Sequence, residues 1–327
     1  MTSDSRASVA QSFDELDRRI ITALQIDGRA SWLRVARALG ENERTVARRG
    51  VRLLESGLVR VTGIQLKSHG TILALRCGPG QVRMCARAVS AREETTWVQI
   101  VTGTHDMIAE VAYAKAQEQA FLLEELPAVQ GLRASDAYPV LKYLRTAHQW
   151  RPGVLTAAES AELEEGMPPG PKFQEAGVEG FSPTDRIIHA ALMEDGRRSY
   201  EELARLAGVS EATVSRRVEQ MRQRGQLVVR AVADPAVLGL TVKAMVWVRA
   251  KPAQLGALSA AIQGSSRIRY ASRITGPYQI LVAVDLASRQ DLDTFLGGSE
   301  WEHADSADVA IVVGTAKRGG LLSTALQ

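Results

Sequence analysis

The chain has 327 residues, 45% of them hydrophobic and 24% charged, with a formal net charge of +3. That length accommodates two or more domains with ordinary cores, and the composition is that of a soluble globular protein. No stretch approaches the roughly 20 apolar residues that span a bilayer. The polar start Met1–Gln11 lacks the apolar run of a signal peptide, and Cys77 and Cys85 are too few for a disulfide framework and not spaced as a zinc clip. The expectation is a cytoplasmic protein with two reduced, structural thiols and no membrane association.

In chain order, the first feature is a repeat. From Asp17 and Asp185 two segments run in register at a constant offset of 168 residues, matching Asp27-Gly28-Arg29 with Asp195-Gly196-Arg197, Ser31 with Ser199, Gly40 with Gly208, Thr45-Val46 with Thr213-Val214, Arg48-Arg49 with Arg216-Arg217, and Gly57 with Gly225. Each copy opens with a helix, near Phe13–Gln25 and Pro183–Met193. Two shorter helices follow. In the second copy Ser199-Tyr200-Glu201-Glu202 is a capping box, Gly208 supplies a turn, Ser210 caps the next helix, and Val214, Val218 and Met221 form its apolar stripe. This is a helix-turn-helix, whose second helix can enter a DNA major groove. After Gly57 and Gly225, Leu58-Val59-Arg60-Val61 and Leu227-Val228-Val229 read as short wing strands.

Beyond each head the periodicity changes to βαββαβ. The first copy predicts strands at Ile72–Arg76, Thr95–Val101, Met107–Ala114 and Leu132–Val140, with helices at Gln81–Ser90 and Gln117–Leu126. The second predicts strands at Val242–Arg249, Ile268–Ile274, Gln279–Asp285 and Asp308–Val313, with helices at Pro252–Gln263 and Arg289–Leu296. This ferredoxin-like order leaves one sheet face without helices, and two such domains can supply that face to each other. The stretch Arg151–Gly180, rich in proline, glycine and glutamate, reads as a linker with one helical turn around Ala157–Leu163. The fold class is therefore α+β, with a disordered tail 1–12, helix-turn-helix domains at 13–63 and 181–232, ferredoxin-like domains at 64–150 and 233–320, and a linker at 151–180.

These residues resemble the leucine-responsive/AsnC (Lrp/AsnC) family of transcription regulators. The carriers are Leu16-Asp17-Arg18-Arg19-Ile20, Thr184-Asp185-Arg186-Ile187-Ile188, the two Asp-Gly-Arg triplets, the helix at Ser210–Arg224, Asp234–Gly239, and the pairs Thr102-Gly103 and Thr275-Gly276. The resemblance implies heads that bind double-stranded DNA, α/β domains that sense an amino acid or related metabolite, and dimers that pair through their sheets. Here two copies are fused, so one chain is expected to form an internal pseudo-dimer able to assemble further. The resemblance also places the effector at the strand turns, giving Thr102, Gly103, His105, Asp106, Thr275, Gly276 and Tyr278 as candidates. Gln279 stands where the first copy has Asp106, which puts the second pocket in question.

Position on the recognition helices assigns Asn42, Arg44, Thr45, Ser210, Glu211, Thr213 and Ser215 to base edges or the nearest phosphates. Arg48, Arg49, Arg52, Arg216, Arg217 and Gln220 are assigned mainly to phosphates. Gly50 replaces the Val218 of the second head, which costs about 1 kcal/mol of helix propensity and predicts a missing buried side chain. The first head is thus expected to be less stable and to contribute less affinity. Two other classes compete. Fused chains of this build also resemble siroheme decarboxylases, although His69, His105, His148, His189 and His303 form no evident cluster, and a duplicated chain can serve as an interaction subunit. No catalytic residue, cofactor or metal site is assigned, because no nucleophile–base pair, phosphate loop or metal-ligand spacing is present.

Overall fold

The computed structural model describes residues 13–64, 70–113, 117–167 and 181–322. The tail 1–12, the later linker at 168–180 and His69 lie outside them. In chain order the first copy contains α1 (Glu15–Ile26), α2 (Trp32–Leu39), α3 (Glu43–Glu55), β1 (Val59–Ile64), β2 (Gly70–Cys77), α4 (Val82–Ser90), β3 (Thr95–Val101), β4 (Met107–Ala112), α5 (Glu118–Ala120, continuing as a π-helical turn Phe121–Glu125) and β5 (Leu132–Arg145). The linker contains α6 (Ala157–Glu164). The second copy contains α7 (Pro183–Glu194), α8 (Tyr200–Ala207), α9 (Glu211–Gln223), β6 (Val228–Ala233), β7 (Val242–Arg249), α10 (Leu255–Gly264), β8 (Ile268–Ile274), β9 (Ile280–Leu286), α11 (Arg289–Leu296), β10 (Ser306–Arg318) and β11 (Leu321–Leu322). Two compact units result, and each draws on both copies: His69–Trp150 with Gly239–Gln327, and Gln11–Ser68 with Arg151–Leu238.

In the head unit, Ile20, Ile21 and Leu24 of α1 are fully buried, as are Val46 of α3 and Val214 of α9. Asn42 and Ser210 cap the recognition helices by accepting from the backbone N–H of Thr45 and Thr213. Gly40 and Gly208 close the preceding helices in the left-handed conformation. The strands read as wings pair with each other, β1 antiparallel to β6, with Val61 opposite Ala231. This joins the heads by main-chain hydrogen bonds.

Residues 151–167 of the linker are more ordered than their composition suggests. Thr156 and Glu159 form a capping box at the start of α6, and Leu163 is fully buried. Arg19, Arg34 and Arg37 of the first head bond to the helix, so one leucine and three arginines of that head hold a segment that could not form a core alone.

The α/β unit is a closed ring of eight antiparallel strands, β10-β3-β4-β2-β5-β8-β9-β7, which returns to β10. β2, β4, β7 and β9 are buried on both faces, so their side chains alternate between two cores rather than between core and water, whereas β5 and β10 carry exposed residues. Leu73 and Leu75 of β2 pack outward with Cys85, Val89 and Phe121, whereas Ile72 and Ala74 pack inward with Met245, Trp247 and Leu281 of the second copy. Closure depends on the last strands. β5 pairs with β2 through Pro139, then shifts register and pairs with β8 from Val140 onward. β10 pairs with β7 through Ile311 and with β3 from Val312. Val140 and Val313 are where the sequence pattern places the strand ends. The additional residues belong to the other copy's sheet. Cys77 and Cys85 are free thiols, and burial together with a hydrogen bond to Cys85 pushes Cys77 up to about 12.

Glu110 is a buried charged-type side chain at the inner seam. Tyr143 and Tyr270, one from each copy, donate to its Oε1 at 2.8 and 3.0 Å. Burial raises its pKa above 4.5, and the hydrogen bonds from Tyr143, Tyr270 and Trp97 only partly counter this. A folded state that holds the proton to higher pH loses stability as pH rises above the unfolded value. Glu110→Gln, which keeps an acceptor without the charge, is expected to match the parent near pH 4 and to exceed it at pH 8 in urea midpoint. Parallel pH profiles would contradict this account of Glu110.

Candidate DNA interface and effector turns

Both recognition helices present their first turns to solvent. Asn42, Arg44, Arg48 and Arg52 are exposed on α3 and its cap, and Ser210, Glu211, Ser215, Arg216 and Gln220 on α9 and its cap; Thr45 and Thr213 are half-buried. The acidic first-turn residues Glu43 and Glu211 favour the helix N-terminus.

Two of the candidate arginines are committed inside their own heads. Arg49 reaches Asp14 at 2.6 Å and Asp17 at 3.0 Å, and Arg217 reaches Asp185 at 3.5 Å. Asp17 and Asp185 are buried, and a buried carboxylate requires such a partner. Arg52 also contacts Asp17 at 2.8 Å while remaining exposed. The repeated aspartates therefore hold the first helix against the recognition helix, with Arg48 and Arg216 left facing outward. Arg48→Ala and Arg216→Ala are each expected to lower the salt slope of DNA binding by about 0.9 with little change in thermal midpoint. Arg49→Ala is expected to cost the first head about 1–3 kcal/mol, since Asp17 keeps Arg52, as measured by denaturation. Equal effects on affinity at the two positions would refute the division.

The missing side chain expected at Gly50 is absent for a physical reason. A Cβ there would lie 2.3 Å from two atoms of the Trp32 ring. Trp32 stands where the second head has Tyr200, and its indole fills the volume that Val218 fills in the second head. The propensity cost of glycine remains, but the predicted cavity does not, so the instability argument loses its larger part.

Sequence reasoning missed the clasp between the heads. Arg29 donates to the carbonyls of Gly196 (2.7 Å) and Arg198 (3.1 Å), and Arg197 donates to those of Gly28 (2.8 Å) and Ala30 (3.2 Å). Each guanidinium also lies over a ring of the opposite head, Arg29 over Tyr200 and Arg197 over Trp32. The backbone N–H groups of Gly28 and Gly196 donate to Val229 and Val61. The signal was the Asp-Gly-Arg triplet itself, visible as a register marker and silent about its partner.

In the α/β unit the two candidate turns are built alike. Gly103 and Gly276 have φ of 101° and 98°, so glycine is required by the turn itself. The Asp106 carboxylate accepts from the backbone N–H of Cys77 at 2.7 Å, and the Gln279 carboxamide accepts from that of Ala250 at 3.0 Å. The replacement of aspartate by glutamine preserves this structural bond. Thr102 exchanges hydrogen bonds with Ile311, and Thr275 donates to Pro139, so each turn is tied to the last strand of the other copy. His105 is 3.4 Å from Asp136, and Tyr278 donates to Asp308 and stacks near Trp247. His105 and Tyr278 both lie beside Trp247, so the two turns converge on one aromatic group with Tyr138.

An AsnC-type helix-turn-helix domain model matches residues 13–54 and again 182–222. An uncharacterised HTH-type transcriptional regulator of Pyrococcus furiosus is 32% identical over 130 residues, covering 38% of this chain and 88% of the relative. The HTH-type transcriptional regulator FL11 of Pyrococcus abyssi is 25% identical over 115 residues, 34% of this chain and 75% of that protein. Among solved structures, the siroheme decarboxylase NirDL has a TM-score of 0.59 over 93% of both chains at 12% identity, which indicates a shared fold.

Proposed function

The chain belongs to the Lrp/AsnC family of helix-turn-helix transcriptional regulators, and from that premise we propose that it reads two neighbouring, non-identical DNA half-sites with heads joined in one polypeptide. The observation that carries this reading is the joint between heads: β1 pairs with β6, while Arg48 and Arg216 face outward at equivalent positions. Fusion lets the two recognition helices differ, because neither must serve both half-sites. Heads on neighbouring major grooves require half-sites about 10–10.5 base pairs apart, or a multiple of that.

The turns at 102–106 and 275–279 are proposed to bind a small effector, an amino acid or related metabolite. Each turn bonds to a strand of the other copy, so a ligand held there would bear on the pairing of both. Further assembly of whole chains belongs to the same proposal, as does action in the cytoplasm.

Affinity selection of genomic fragments with the full chain tests the DNA reading. Enrichment of duplexes with two spaced half-sites is expected, whereas binding no tighter than to random duplex at physiological salt would overturn it. A thermal-shift screen of amino acids tests the effector reading, and absence of stabilisation by any of them alongside intact DNA binding would remove it.

A further inference from the structure

We propose that the linker helix α6 is an acidic strap that withholds positive charge of the first head from DNA, leaving the second head the larger share of affinity. This rests on the DNA-binding reading above. Two of the residues it holds, Arg34 and Arg37, lie on α2, the first helix of the motif, which crosses the DNA backbone when the second helix occupies the groove. Glu162 Oε1 is 2.8 Å from Arg37 Nε. Arg34 Nη2 donates to the carbonyls of Leu163 (2.7 Å) and Glu165, which end the helix and lie at its negative pole. Glu159 binds Arg19 of α1.

The second head shows what the first would be without the strap. At the positions of Arg34 and Arg37 it carries Glu202 and Arg205, and among the described residues the exposed Arg205 makes no ion pair. The repeat thus gives both heads an arginine at the same place on the backbone-crossing helix, engaged by a carboxylate in one and open in the other. The buried Leu163 seats the helix, whereas the Glu162–Arg37 bridge is superficial and worth little by itself. A phosphate can therefore compete for Arg37 once Glu162 is neutral.

The test is the salt dependence of full-chain binding to a random duplex and to a selected fragment, for the parent, Glu162→Gln and Leu163→Asp. Every further phosphate that the protein neutralises steepens the plot of log affinity against log salt by about 0.9. Glu162→Gln is expected to steepen it by about one such step, and Arg37→Ala added to it should restore the parent slope. Leu163→Asp, which unseats the helix, should steepen it by at least the same step, while Arg34 keeps its contact with the buried Asp27 at 3.6 Å. Glu162→Gln replaces a surface group, so it reports even if Leu163→Asp unfolds the head. Unchanged slopes in a chain that binds DNA would overturn the strap alone; a parent chain that binds neither duplex would overturn the DNA reading beneath it.

Discussion

A chain carrying Gly28→Val is expected to bind a two-half-site fragment at least about a hundredfold more weakly than the parent, while affinity for an isolated half-site stays within a few-fold. A Cβ at position 28 would lie 2.8 Å from the backbone of Arg230 and from Val61, and one at position 196 would lie 2.5 Å from Val229. The Arg230 backbone cannot yield to a side chain at position 28 without parting β1 from β6, whereas the 2.5 Å neighbour at position 196 is a methyl of the Val229 side chain. The heads would then no longer be held at the half-site spacing, and the avidity of linked modules, about 10²–10⁴, is lost where geometry forbids simultaneous engagement. Arg29→Ala with Arg197→Ala removes the clasp without a clash and should move in the same direction by a smaller amount. Equal weakening on single and paired half-sites would show that these residues support folding of each head and not their joint.

Trp247→Ala is expected to destabilise the α/β unit by about 3–5 kcal/mol, the cost of emptying a large buried aromatic site. Its ring is 4% exposed, with Tyr138 at 5.5 Å and Tyr278 at 5.4 Å between centroids, and it lies in the core shared by the two sheets. The first copy has Ala74 at the matching place, so at this position the bulk comes from the second copy alone. Were the sheets not facing each other, the same change would expose nothing buried and cost under about 0.5 kcal/mol. Denaturant midpoints followed by far-ultraviolet circular dichroism distinguish these results.

How much of this was readable beforehand follows from the range of the interactions concerned. Caps and turns are local, and Ser210, the Ser199–Glu202 box and Gly208 stand where their chemistry placed them. Strand identity in the α/β domains was equally plain because β-branched runs and turn residues mark it. Strand length was not: residues beyond Pro139 and Ile311 pair with the opposite copy, and their reason for being extended is a partner far away in sequence. Arg49 and Arg217 read as phosphate ligands because they sit on a recognition helix, but their commitment depends on Asp17 and Asp185, which lie 32 residues earlier in each copy. Gly50 read as a defect because Trp32 is on another helix. Single-copy periodicity carries no information about Arg29 and Arg197, whose acceptors belong to the opposite head.

The internal pairing of two copies underlies both the reader and the sensor, and an intrachain cross-link tests it most directly. Lys142 of β5 stands opposite Arg273 of β8, at the point where a strand of the first copy enters the sheet of the second. With Cys77 and Cys85 replaced by alanine, Lys142→Cys together with Arg273→Cys should oxidise to a disulfide within a single chain, visible as a faster band of monomer mass on a non-reducing gel and independent of protein concentration. Cross-linking only into covalent dimers, or failure to oxidise in a chain that remains folded, would contradict a polypeptide that pairs with itself.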